Sequence, residues 1–199
     1  MPDFELELVA KADGYQIVCG VDEAGRGPLA GPVCAAAVIL DDDTIIDGIN
    51  DSKKLSEKKR EALYSVITEK AIAYSVAFAT VEEIEQYNIL NATYLAMNRA
   101  IDNLKIKPDF ALIDGNRVPN GISVPCNTVV KGDAKSASIS AASILAKVTR
   151  DRLLLEYDKK YPEYDFAKHK GYGTAEHISA IKKYGICEVH RPSFLKKLI

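Results

Sequence analysis

Neither sign of charge dominates this sequence. It carries 26 Lys and Arg against 28 Asp and Glu over 199 residues, so composition alone singles out neither a nucleic-acid binder nor a polybasic membrane protein. It has no apolar run of the roughly 18 residues that a spanning helix requires, and its opening MPDFE is acidic where a secretory leader would be basic. A soluble, unexported chain is expected. The four cysteines, Cys19, Cys34, Cys126 and Cys187, are widely spaced in apolar surroundings without a C-x-x-C pair. That spacing indicates neither a zinc site nor a disulfide framework, and it fits a reduced, cytoplasmic setting. A G-x-x-x-x-G-K-[ST] loop is missing, and nothing suggests a Ser/His/Asp or Cys/His nucleophile.

What is present is a length and a 47% hydrophobic content that suit one ordinary domain with its own core. The charge is lopsided along the chain. Residues 1–130 hold 12 basic and 20 acidic side chains, whereas residues 131–199 hold 14 basic and 8 acidic. A basic C-terminal third can seat a polyanion while acids elsewhere bind metal, because the local patch and not the total steers such a ligand. Solvated faces on Lys- and Glu-rich helices explain the same counts.

The hydrophobic pattern predicts a strand over 15–21 ending at Asp22 and Glu23, a glycine- and proline-broken loop, and a second strand over 33–40. From Ser56 as N-cap, Leu63, Val66, Ile67 and Ile72 recur at helical spacing in an exposed amphipathic helix. Residues 72–78 then alternate, with Ile72, Tyr74, Val76 and Phe78 on one side of a strand. Thr80 and Glu83 form a capping box for a short helix, and a further helix is expected over about 89–104. Strands over 110–113 and 124–130 follow, then a long helix from Ser136 to about Tyr157 before Pro162, and a last helix from Thr174 to Tyr184 stopped by Gly185. This order implies an α/β domain with a mixed central sheet of about five strands and a helical C-terminal region.

Four carboxylates, Asp22, Glu23, Asp114 and Asp133, stand at the ends of three predicted strands. Such edges are where α/β sheets assemble sites. Clustered carboxylates repel one another, and an all-oxygen set points to a hard ion such as Mg²⁺ or Mn²⁺. Taken singly, each acid also reads as a turn former or a solvated strand end. Adjacent side chains of a regular strand face opposite ways, so Asp22 and Glu23 are expected to share a site only if the strand breaks there. The run GRGPLA at 25–30 formally matches a dinucleotide-binding fingerprint. Pro28, Pro32 and the strand-like residues that follow oppose the helix that fingerprint requires.

These residues carry a resemblance. The run GVDEAGRGPLAGPV at 20–33 resembles the signature of ribonuclease HII. The likeness continues through DSKKL at 51–55, IDGN at 113–116, VKGD at 130–133, SISAASILAK at 138–147 and HKGYGT at 169–174. It spans roughly residues 15–195, and the ending HRPSFL at 190–195 is similar to that of the bacterial single-subunit members. Residues 1–14 carry no part of it.

The resemblance implies a ribonuclease H-like fold in a single domain over 1–199, with a core over about 15–160 and a C-terminal substrate-binding region over about 161–199. It implies an endonuclease that hydrolyses the RNA strand of RNA/DNA hybrids and nicks 5′ of single ribonucleotides in duplex DNA, with a part in ribonucleotide excision repair. The family's four acidic positions fall on Asp22, Glu23, Asp114 and Asp133. Two Mn²⁺ or Mg²⁺ ions are expected there, leaving 5′-phosphate and 3′-hydroxyl ends. Asp22 is expected to bridge the ions, and Asp133, from a flexible turn, to join once substrate is bound. The Gly25-Arg26-Gly27 loop is implied to read the 2′-hydroxyl largely through its backbone, and Tyr172 to pack beside the ribonucleotide. Lys53, Lys54 and the basic C-terminal helices would contact phosphates. The N-terminus of the helix near Ser136 offers a further phosphate seat. His169, His177 and His190 are assigned to surface or phosphate-contact roles. The expected partner is hybrid or ribonucleotide-containing duplex, with no membrane, bound by a monomer. Two alternatives stay open: another carboxylate-metal nuclease of similar fold, a DNA resolvase or exonuclease, and a non-catalytic nucleic-acid-binding domain.

Overall fold

The computed structural model describes residues 2–50, 52 and 55–196. Strands β1 Val18–Ala24, β2 Val33–Ile39, β3 Ala73–Ala79, β4 Phe110–Asp114 and β5 Cys126–Val129 form one sheet in the order β3-β2-β1-β4-β5. The first three are antiparallel neighbours, while β4 pairs parallel with β1 and β5 parallel with β4. The parallel strands β1, β4 and β5 therefore bring their C-terminal ends to one edge. β2, with the sequence VCAAAVI, is buried at every position, as a continuous apolar run sandwiched on both faces should be.

Helices are α1 Glu5–Ala12, α2 Glu57–Lys70, α3 Val81–Asp102, α4 Ala137–Lys160, α5 Phe166–His169, α6 Ala175–Tyr184 and α7 Pro192–Leu195. On one face, Cys19, Val21, Ala35 and Ala37 pack against Ala92, Ala96 and Ile101 of α3. On the other, Cys34, Ala36 and Val38 pack against Ala142 and Leu145 of α4 and Leu63 and Ile67 of α2. Fully burying a side chain such as Ile67 contributes roughly 1.5–3 kcal/mol. The alanines let both helices approach closely, and Gly20 carries this furthest: a Cβ there would stand 2.2 Å from the backbone of Ser138 and Ile139. A separate cluster of Leu154, Tyr164, Phe166, Ile181 and Leu195 holds the C-terminal helices against Leu29 and Ala30. Among the described residues no helix is long and apolar enough to cross a membrane.

Several local expectations hold. Ser56 and Ser136 cap α2 and α4, Thr174 caps α6, and the Thr80–Glu83 capping box is formed in both directions. α3 is kinked at Asn88, where φ is 65°. The Asn88 Oδ1 accepts from Leu90 N at 3.0 Å and Asn91 N at 3.2 Å, starting the second segment as an N-cap.

Others are corrected. β1 does not break at its acids: it runs through Asp22 and Glu23, paired with Ala36 and Ala35. In β3 the buried side is Ala73, Ser75, Ala77 and Ala79, while Tyr74, Val76 and Phe78 are less buried. The closely packed α3 face accepts only small side chains, so size and burial part company. α2 ends at Lys70, and exposed Ile72 begins the pairing with β2 through its amide on Ile39 O. α4 extends to Lys160, α3 stops at Asp102, and α7 follows α6. α1 has no counterpart in the sequence reading.

Candidate active site

The sheet edge gathers the acids. Asp22 and Glu23 lie near the end of β1, Asp114 ends β4, and Asp133 sits on a 3₁₀ turn, Gly132–Ala134, after β5. The pleat sends Asp22 and Glu23 to opposite faces of β1. Asp22 is buried and draws on the Ser143 hydroxyl of α4. Glu23 lines a cavity of about 370 Å³ with Asp114, Arg26 and Arg117.

Burial pushes the Asp22 carboxyl well above the usual carboxylate range, and the charges of Glu23 and then Asp114 push it further. Its Oδ1 accepts from Glu23 N at 2.7 Å, which opposes the shift. Asp114 Oδ1 accepts from Gly132 N at 2.7 Å, tying the turn that carries Asp133 to the end of β4. That turn is closed by amides of Lys135 and Ser136 on Gly132 O, and Asp133 is buried. Ser143 Oγ also meets Ser52 Oγ at 2.8 Å, placing Ser52 next to the acidic edge. Lys53 and Lys54 lie outside the described residues.

Among the described residues no three His, Cys, Asp or Glu side chains are gathered tightly enough, as they lie, to grip one ion. The donor chemistry nevertheless fits a hard divalent cation. Every donor is an oxygen, and the charged form of Asp22, which burial and its neighbours disfavour, is the form a cation would favour.

Residues 25–32 form a loop, not a helix, so the fingerprint-like GRGPLA has no helix N-terminus to offer. Gly25 takes φ 95°, and a Cβ there would lie 2.0 Å from Arg150 Nε, two independent reasons for glycine. Two buried arginines hold this loop. Arg150 donates to Pro32 O, Ala30 O and Lys170 O at 2.9–3.0 Å. Arg191 donates to Gly25 O, Arg26 O, Pro28 O and Gly31 O. Burial brings the Arg191 pKa down to about 9, leaving it charged at neutral pH. A Cβ on Gly27 would stand 3.7 Å from Tyr172 Cε1, and Leu29 N donates to Gly171 O, so loop and tyrosine are joined. Tyr172 itself is 45% exposed.

Two sequence assignments fail. His169, His177 and His190 are buried and not on the surface. The rings of His169 and His177 stack at 4.3 Å, and His177 Nε2 meets His190 Nε2 at 3.1 Å beneath the Tyr172 turn, whose carbonyl pairs with His177 Nδ1. The phosphate seat at the start of α4 is filled by Glu7, whose Oε1 accepts from Ser138 N and from the hydroxyls of Ser136 and Ser138. A carboxylate already satisfies that helix end.

Sequence reasoning missed Ser143, Arg150, Arg191 and Glu7. None of the four shows a local signal, since each is placed by partners distant in the chain.

Residues 19–197 match the family model described as Ribonuclease HII. The ribonuclease HII of Caldicellulosiruptor bescii is 57% identical over 98% of this chain and 95% of its own length, and that of Acetivibrio thermocellus is 60% identical over 97% and 75%. Among solved structures, ribonuclease H2 from Pyrococcus horikoshii aligns with a TM-score of 0.73 at 28% identity, covering 92% of this chain and 97% of that one. The chain of the PCNA:RNase HII complex from Archaeoglobus fulgidus aligns with a TM-score of 0.74 at 26% identity, over 89% and 94%. A match of this extent, on a sheet edge carrying four acids beside a glycine loop, establishes that the chain belongs to the ribonuclease HII family of metal-dependent endoribonucleases acting on RNA/DNA hybrids.

Proposed function

We propose that the enzyme nicks duplex DNA on the 5′ side of a single embedded ribonucleotide as well as cutting the RNA strand of hybrids, with Asp22, Glu23, Asp114 and Asp133 holding two divalent ions. The observation that carries this reading is the gathering of Asp22 and Glu23 near the end of β1, Asp114 at the end of β4 and Asp133 on the turn tied to Asp114 through Gly132 N, at the edge next to the loop at 25–27 and Tyr172. Bound there, Mg²⁺ or Mn²⁺ would supply an activated water and charge neutralisation at the scissile phosphate and departing 3′ oxygen.

The chain's own residues do the rest. Asp22 and Glu23, on opposite faces of β1, approach the phosphate from two sides, and Asp114 fixes the Gly132 turn that presents Asp133. The amides of Gly25, Arg26 and Gly27 lie where a sugar can approach, and glycine lets the main chain come close. The half-exposed Tyr172 ring packs beside that sugar. Lys53, Lys54 and the lysines of the C-terminal region, from about residue 161 onward, contact phosphates without reading sequence. We assign the work to a monomer in a reducing cytoplasm, in keeping with four free cysteines, and its task to removal of misplaced ribonucleotides.

The test is cleavage of an end-labelled duplex carrying one ribonucleotide beside an all-DNA control, with Mn²⁺, Mg²⁺ or chelator. A metal-dependent nick 5′ of the ribonucleotide, absent from the control and lost in Asp22→Asn, is expected. Cutting of both duplexes would make the protein a general nuclease, and binding without cutting would mean that the acids are not a working site.

A further inference from the structure

The loop after β1 turns its carbonyls onto one buried guanidinium. Arg191 Nη2 donates to Gly25 O at 2.7 Å, Nη1 to Arg26 O at 3.0 Å and Pro28 O at 2.8 Å, and Nε to Gly31 O at 2.8 Å. The side chain is 0% exposed. Among the described residues its hydrogen bonds go to main-chain carbonyls and to no carboxylate. A buried charge must be satisfied by what surrounds it, so cation and loop shape depend on each other.

The consequence lies on the other side of each peptide. In a planar trans unit the N–H of the next residue points away from the C=O, and no peptide bond here is cis. Carbonyls of Gly25 and Arg26 held on Arg191 therefore turn the amides of Arg26 and Gly27 away from it. Those two amides make no hydrogen bond among the described residues, whereas Leu29 N is spent on Gly171 O at 2.8 Å and Gly31 N on Val189 O at 2.7 Å. The second of these donors belongs to a residue beside Tyr172, whose ring a Cβ on Gly27 would approach to 3.7 Å.

We propose that Arg191 is a positioning residue for ribonucleotide discrimination: it touches no substrate, and it fixes the direction in which the Arg26 and Gly27 amides meet a 2′-hydroxyl. This rests on the reading of the loop given under Proposed function. A lysine cannot take the role, since a compact ammonium lacks the planar fork that spans four carbonyls from one position.

Two measurements test it. By amide hydrogen exchange, the unaltered enzyme should show fast exchange at Arg26 and Gly27 and protection at Leu29 and Gly31. Arg191→Lys should lose at least tenfold of the latter protection while β2 keeps its own. In kinetics, Arg191→Lys should lose about 100-fold in kcat/KM on the single-ribonucleotide duplex, mostly in kcat. Its binding preference for that duplex over all-DNA duplex, measured in chelator, should fall towards one. Protected amides at Arg26 and Gly27 in the unaltered enzyme overturn the inference. Equal cutting of both duplexes by the unaltered enzyme overturns the loop reading and this inference with it. Ribonucleotide-strict cutting that Arg191→Lys leaves unchanged overturns the inference alone. Arg191→Gln is the second variant, and if neither folds, the exchange pattern of the unaltered enzyme decides.

Discussion

Glu7 Oε1 accepts from both the amide and the hydroxyl of Ser138, at 3.0 and 2.6 Å, and so plugs the N-terminus of α4 from a helix 131 residues earlier in the chain. The carboxylate sits where the helix dipole favours negative charge. Glu7→Ala would leave two serine hydroxyls and an amide short of an acceptor in a buried place, at a cost of about 2–3 kcal/mol. Urea unfolding should show that loss, with Glu7→Gln losing less, while cleavage per folded molecule stays near that of the unaltered enzyme.

Asp22→Asn should separate stability from activity. Because the Asp22 pKa is raised, the folded chain keeps a proton that the unfolded chain has released. Stability therefore falls as pH rises from the ordinary value of 3.8 through the raised one. The amide has no charge to lose, so in chelator at pH 7 the variant should melt at or above the temperature of the unaltered enzyme. Its cleavage should drop by about 10³-fold or more, the scale of several kcal/mol of metal-borne charge stabilisation. Added Mg²⁺ or Mn²⁺ should raise the melting temperature of the unaltered enzyme more than that of the variant.

His177 gives the opposite slope. Burial, with the charges of His169 and His190, lowers its pKa from 6.5 to about 4. Between those values the unfolded chain binds the proton and the folded one does not, so stability is whole above pH 6.5 and drains as pH falls towards 4. Urea midpoints across that window should fall less steeply in His177→Gln than in the unaltered enzyme, carboxylate titration being common to both.

Gly20→Ala should cost about 3 kcal/mol, the upper end for overpacking. The added methyl would meet backbone of α4, which cannot rotate aside. Chemical denaturation should show the loss, and equal stability would mean that α4 can lift off β1.

The acids that the structure gathers at the sheet edge were largely legible. Asp114 at the end of an apolar FALI run and Asp133 after an apolar strand announce themselves through residue type and strand-end position. The Thr80–Glu83 box and the Ser56, Ser136 and Thr174 caps are local codes, read over three or four residues, and they hold in the fold. Periodicity misled in β3, where Tyr74 and Phe78 mark the less buried face because α3 presses alanines on the other.

By itself, then, the sequence determined the mixed α/β sheet, its caps and the four acids of its edge, since each depends on nearest neighbours and hydrophobic period. Tertiary structure alone decided that β1 runs unbroken through Asp22 and Glu23, that three histidines lie buried under the Tyr172 turn, and that Glu7 seals α4. It also decided that Arg191 holds Gly25 across 166 residues of chain. These are pairings between distant segments, and which charge ends up buried against which carbonyl follows from how the layers stack, a quantity that no local pattern encodes.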